Sequence, residues 1–79
     1  MIEFSRHAKR RMQLYGINEK DVLTVIEKGK KEELANGKII FVHRIERKFK
    51  YPIKVVTSYR EGIAMVVTTY PRKRSKKEE

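Results

Sequence analysis

Apolar residues recur first at helical spacing and then in alternation, with the change of period near residue 30. Phe4, Ala8, Met12 and Tyr15 are spaced by four, four and three, the period of one buried helical face. Ser5 stands ahead of most of them as an N-cap and Gly16 closes them, so the pattern predicts a first helix between those two residues. His7, Arg11 and Leu14 form the adjacent stripe, one turn apart at the edge of the buried side, where they can face a shared cleft. Asn18 is the next N-cap, with Glu19 and Asp21 in the first turn, where the helix dipole favours negative charge. Val22, Val25 and Ile26 supply the buried edge of this second helix, Lys28 suits its last turn, and Gly29 is expected as its left-handed stop.

Beyond Lys31 the period is that of strands. Glu32 to Ala35 reads as a short strand, Asn36-Gly37 as a two-residue hairpin turn, and KIIFVHRIE from Lys38 as a long strand of branched residues. IKVVTSY, Ile53 to Tyr59, opens after Pro52, and Arg60-Glu61-Gly62 turns it into IAMVVTTY, Ile63 to Tyr70, which Pro71 is expected to end. The fold expected is therefore α+β: two N-terminal helices packed on a four-stranded antiparallel sheet. Strict alternation in the last strand puts Ala64, Val66, Thr68 and Tyr70 on one face, so the hydroxyls of Thr68 and Tyr70 are expected to meet a helix.

Composition narrows the chemistry. Seventy-nine residues hold one domain, taken as residues 1–71, and the segment 72–79, RKRSKKEE, reads as a disordered basic tail. The formal charge is +10; the tail carries five positive and two negative charges, which leaves +7 on the body. Polyanions are the expected partners, RNA foremost. The chain has no cysteine and two histidines, which removes disulfides, thiolate nucleophiles and cysteine-ligated metals and leaves poor material for any metal site. No cofactor is expected. Without an apolar run of membrane length or a signal-like N-terminus, the expectation is a cytoplasmic protein with no membrane partner.

One constellation fits RNA chemistry. Cleavage by RNA's own 2′-hydroxyl needs a group to take that proton, a group to protonate the leaving 5′-oxygen and fixed positive charge on the phosphate, and it needs no metal. His7 is the natural carrier, since imidazole changes charge near working pH, and Arg11 offers a bidentate fork for phosphate. Thr68 and Tyr70 would donate hydrogen bonds if the first helix packs across their face. Each has a quieter alternative: His7 as a solvated helix-start residue, Arg11 as a surface arginine, Thr68 as a strand former and Tyr70 as a core-edge ring. Arg6, Lys9 and Arg10 form a basic helix face, and Arg47, Lys48 and Lys50 interleave with Phe49 and Tyr51 in a segment suited to a nucleic-acid backbone. The alternatives there are a solvated charged face and two aromatic loop anchors. His43, alternating with Ile39 and Phe41, reads as a core-edge histidine.

The run His7-Ala8-x-x-Arg11-Met12-x-x-x-Gly16-Ile17, the helix start Asn18-Glu19-x-Asp21-Val22 and the terminal Val67-Thr68-Thr69-Tyr70-Pro71 together resemble an uncharacterised bacterial and archaeal domain family. That family is similar in layout to the RelE/ParE toxins and to other metal-independent ribonuclease toxin domains. The resemblance covers about residues 4 to 71. It implies a toxin-like metal-independent endoribonuclease in which His7 exchanges protons, Arg11 holds the phosphate, and Thr68 and Tyr70 orient it. It also implies an acidic antitoxin as a protein partner and the ribosome as a possible site of action. The competing expectation is a non-catalytic RNA-binding or protein-binding module on the same fold.

Overall fold

The computed structural model describes residues 2–34, 36–45 and 48–72. The expected basic tail, apart from Arg72, and the candidate Arg47 lie outside the described residues. In chain order the elements are β1 (Ile2–Phe4), α1 (Arg6–Tyr15), α2 (Glu19–Lys28), β2 (Lys30–Glu33), β3 (Lys38–His43), β4 (Ile53–Arg60) and β5 (Ile63–Pro71). The sheet has five strands in the order β1-β5-β4-β3-β2, with β1 parallel to β5 and the other pairs antiparallel. The α+β class and the two helices stand as expected, whereas the four-stranded, purely antiparallel sheet does not. The extra strand is Ile-Glu-Phe, too short to show a period, and it exists because β5 offers an edge.

Both helices are held by their caps. The Ser5 hydroxyl accepts the Ala8 N–H at 3.0 Å, and α1 ends at Gly16 with φ 70°. Asn18 and Asp21 form a capping box, in which the Asp21 N–H donates to Asn18 Oδ1 at 2.8 Å and the Asn18 N–H donates to Asp21 Oδ2 at 3.1 Å. Gly29 departs from the left-handed stop, having φ −80° and ψ 166°. Its glycine answers to space instead: a Cβ there would run into the carbonyl oxygens of Val25 and Val42, the latter at 2.7 Å. The β4–β5 turn places Glu61 at φ 54° and Gly62 at φ 82°, the double left-handed geometry that matches the twist of a two-residue hairpin.

One core lies between the helices and one face of the sheet. Ala8 and Met12 of α1, Val22 and Val25 of α2, and Ile17 between them pack on Phe41, Ile53, Val55 and Val66. Phe4 sits in β1 rather than in α1 and is only half-buried, and Tyr15 is exposed at the helix end. β3 stops at His43 instead of running on through Arg44 and Ile45, β2 starts two residues earlier than expected, and β5 continues through Pro71. Pro71 is tolerated because the chain leaves the sheet there; the adjoining Arg72 N–H donates to the Pro52 carbonyl at 2.7 Å.

Candidate nucleic-acid interface

Ser5 fixes where α1 stands. Its backbone N–H donates to the Val66 carbonyl at 3.0 Å and its hydroxyl donates to the Val67 carbonyl at 2.8 Å, so the residue that caps the helix also ties it to β5. With Ala8 and Met12 turned into the core, the helical period carries Arg6, His7, Lys9 and Arg10 into solvent and leaves Arg11 half-buried. α1 contains no acidic residue, and among the described residues none of its cations joins an ion pair. His7 and Arg11 therefore share one stripe of a uniformly basic helix, as the spacing predicts.

Thr68 and Tyr70 do not join them. Val56 pairs with Thr68, but the next residue of β4, Thr57, pairs with Val66. Val67 is thus an extra residue in β5, a bulge that shifts the alternation by one. Before it, Ala64 and Val66 face the helices; after it, Thr69 does, at 0% exposure, opposite the buried Val55. Thr68 and Tyr70 are half-exposed opposite Val56 and Lys54, on the face the helices do not cover. The expected union of His7, Arg11, Thr68 and Tyr70 is corrected accordingly: the first two and the last two lie on opposite sides of the sheet. Thr69, never a candidate, is the residue of this run that meets the core, and its hydroxyl donates to the Lys54 carbonyl at 3.0 Å.

The segment after β3 is partly structural. Lys48 Nζ lies 2.7 Å from Asp21 Oδ2, the same oxygen that accepts the Asn18 N–H. Its charge is thereby paired with the start of α2 while its side chain stays exposed, so this candidate contact also has a structural role. Phe49 packs against the core as a loop anchor. Lys50 remains exposed, its Nζ 5.7 Å from the centre of the Tyr51 ring. His43 is half-buried opposite Ile53, on the covered face, as its alternation predicts.

The uncovered face brings forward residues that the motif reading passed over. Register places Lys30, Val42, Lys54 and Tyr70 in one row across β2, β3, β4 and β5. The next row is Glu32, Ile40, Val56 and Thr68. Lys54 Nζ stands 5.7 Å from the centre of the Tyr70 ring, within cation–π range. The signal was in the sequence: Lys54, Val56, Ser58 and Arg60 alternate with the buried Ile53, Val55 and Thr57. At the hairpin end the same face has a hollow of about 350 Å³ lined by Ser58, Arg60, Ile63, Met65 and Val67, with Glu3 and Glu61 at it.

Among the described residues no group of three or more His, Asp or Glu side chains could hold a metal, and no helix is long and apolar enough to cross a membrane. Comparison with curated proteins and with solved structures returns no match. A family profile matches residues 4–71, which takes in the helix motif, the bulge and the strand-end run alike. The chain belongs to that family, the domain of unknown function DUF4258.

Proposed function

We propose that this protein is an RNA-binding domain. The observation that carries the reading is α1, which turns Arg6, Lys9 and Arg10 into solvent with no acidic residue in the helix. Such a surface attracts a polyphosphate by releasing its counterions, whatever the base sequence. The test is binding of a labelled RNA across a salt series. Affinity should fall steeply with salt, and replacing Arg6, Lys9 and Arg10 by Gln one at a time should each lower the slope of log K on log salt by about one. Salt-independent binding, or none at low salt, would refute the reading.

A second reading is a metal-independent endoribonuclease, favoured by an exposed His7 one helical turn from a half-buried Arg11. In that reaction the 2′-oxygen attacks phosphorus as His7 takes its proton, and Arg11 balances the phosphate charge. The 5′-oxygen leaves and receives, through water, the proton that His7 took, giving a 2′,3′-cyclic phosphate. Thr68 and Tyr70 have no part in it, because they lie across the sheet. The assay is cleavage of structured RNA in excess chelator, alone and with ribosomes. Cyclic-phosphate ends made by the wild type and abolished by His7→Ala support catalysis, and cleavage unchanged in the variant sinks it. The catalytic reading also brings an acidic antitoxin as partner, to be sought as a small acidic reading frame beside the gene.

A further inference from the structure

We infer that the uncovered face of the sheet is a platform for single-stranded RNA, with an unpaired base stacked on Tyr70 and the flanking phosphates held by Lys54 and Lys30. The inference rests on the RNA-binding reading and names the form of RNA and the surface that takes it.

The face is built for such an occupant in three respects. First, the bulge at Val67 turns Tyr70 onto the face the helices do not cover, where it is half-buried with Lys54 over its ring. Second, the row Lys30–Val42–Lys54–Tyr70 contains two lysines and no carboxylate. With strands about 4.8 Å apart, that row spans roughly 14 Å, which is several nucleotides of backbone at about 3.4 Å each when stacked. Third, Val42 in that row and Ile40, Val56 and Thr68 in the next are half-buried and mostly apolar, a floor on which base faces lose water. The exposed Glu32 stands only at the β2 end of the second row.

Charge complementarity selects the polyanion, and the ring selects the single strand. In a duplex the faces of the bases are already stacked on one another, and a flat sheet has nothing to insert into a groove; only an unpaired base offers a free π-face. Lys54 now lies over the Tyr70 ring. That contact is worth about a two- to fivefold effect at an exposed site, against about 5- to 100-fold for a stacked base. An arriving base therefore displaces the ammonium, which is then free to meet the adjacent phosphate.

The test compares an unstructured single-stranded RNA with a duplex of the same length, for the wild type, Tyr70→Ala, Tyr70→Phe, Thr68→Glu and an α1 variant carrying Arg6→Gln and Arg10→Gln. Tyr70→Ala should weaken single-strand binding about 5- to 100-fold and leave duplex binding within about twofold, while Tyr70→Phe should retain both. Thr68→Glu sets a carboxylate beside the ring and should weaken single-strand binding as well, which gives an independent reading if Tyr70→Ala does not fold. The α1 variant, changed on the opposite side of the sheet from the platform, should weaken duplex binding more than single-strand binding. Wild type that binds neither RNA at low salt fails the RNA-binding reading as a whole. Binding that the α1 variant loses and that neither Tyr70→Ala nor Thr68→Glu alters overturns the platform alone. So does sedimentation showing a dimer that Thr68→Glu dissociates, because a second copy would then cover the face.

Discussion

Replacing Ser5 by alanine removes two hydrogen bonds that meet at one oxygen. The Ser5 hydroxyl accepts the Ala8 N–H at the start of α1 and donates to the Val67 carbonyl in the bulge of β5. Loss of an N-cap costs about 1 kcal/mol. A part-buried carbonyl left without its donor costs about another 1–2 kcal/mol, so Ser5→Ala should lose about 2–3 kcal/mol. For a domain of this size that lowers Tm by about 10–20 °C. Urea unfolding followed by far-UV circular dichroism measures it, with the m-value checked for constancy. Two companions separate the roles. Ser5→Thr keeps both bonds and should stay within about 0.5 kcal/mol, whereas Ser5→Asp keeps the cap but cannot donate to Val67, and should lose about 1 kcal/mol. A loss below about 0.5 kcal/mol for Ser5→Ala would refute the claim that this residue locks helix to bulge.

Three further outcomes test the packing. Thr69→Val should cost about 1 kcal/mol in thermal melts by stranding the Lys54 carbonyl, while Thr68→Val, on the uncovered face, should stay within about 0.5 kcal/mol; the reverse order would mean the bulge does not shift the faces. Gly29→Ala should lose about 1–3 kcal/mol in urea unfolding, because the added methyl meets backbone oxygens that cannot step aside, and an unchanged midpoint would contradict the close approach. Asp21→Asn keeps an acceptor for the Asn18 N–H but breaks the ion pair with Lys48. Its loss should be under about 1 kcal/mol and shrink in 1 M salt, since Lys48 is well exposed, and a salt-independent loss would argue against an electrostatic origin.

The helices were legible because their information is local. Ser5, Gly16, Asn18 and the first-turn acids each act within one turn of where they stand, and the structure uses them as the sequence suggests. The sheet was legible only in part. Ile2–Phe4 carries no period of its own, and its pairing with Ala64–Val66 is a long-range event that no window of sequence contains. The bulge was invisible for a different reason. In VVTTY either phase offers an acceptable inward residue, Thr68 or Thr69, and the bulge at Val67 accompanies the bonds from Ser5 to the Val66 and Val67 carbonyls, the latter a contact 62 residues apart in sequence. The error at the candidate site followed from that single residue of phase. The ion pair of Lys48 with Asp21 is not legible in the sequence, because a lysine between aromatics looks the same whether or not it holds a carboxylate 27 residues away.

The pairing of β1 with β5 sets an order on assembly. The first and last strands of the sheet in chain order are partners, and α1 rests its apolar stripe on that same β5. On a ribosome β1 and α1 therefore emerge ahead of the strand they settle on. They must wait until some fifty more have been added, and closing so long a loop is entropically slow. The sheet can grow from the β3–β4 and β4–β5 hairpins meanwhile. Throughout that interval the nascent β1–α1 segment is a charged, unsettled peptide, and its cations face a machine made largely of RNA before they have a fold to belong to.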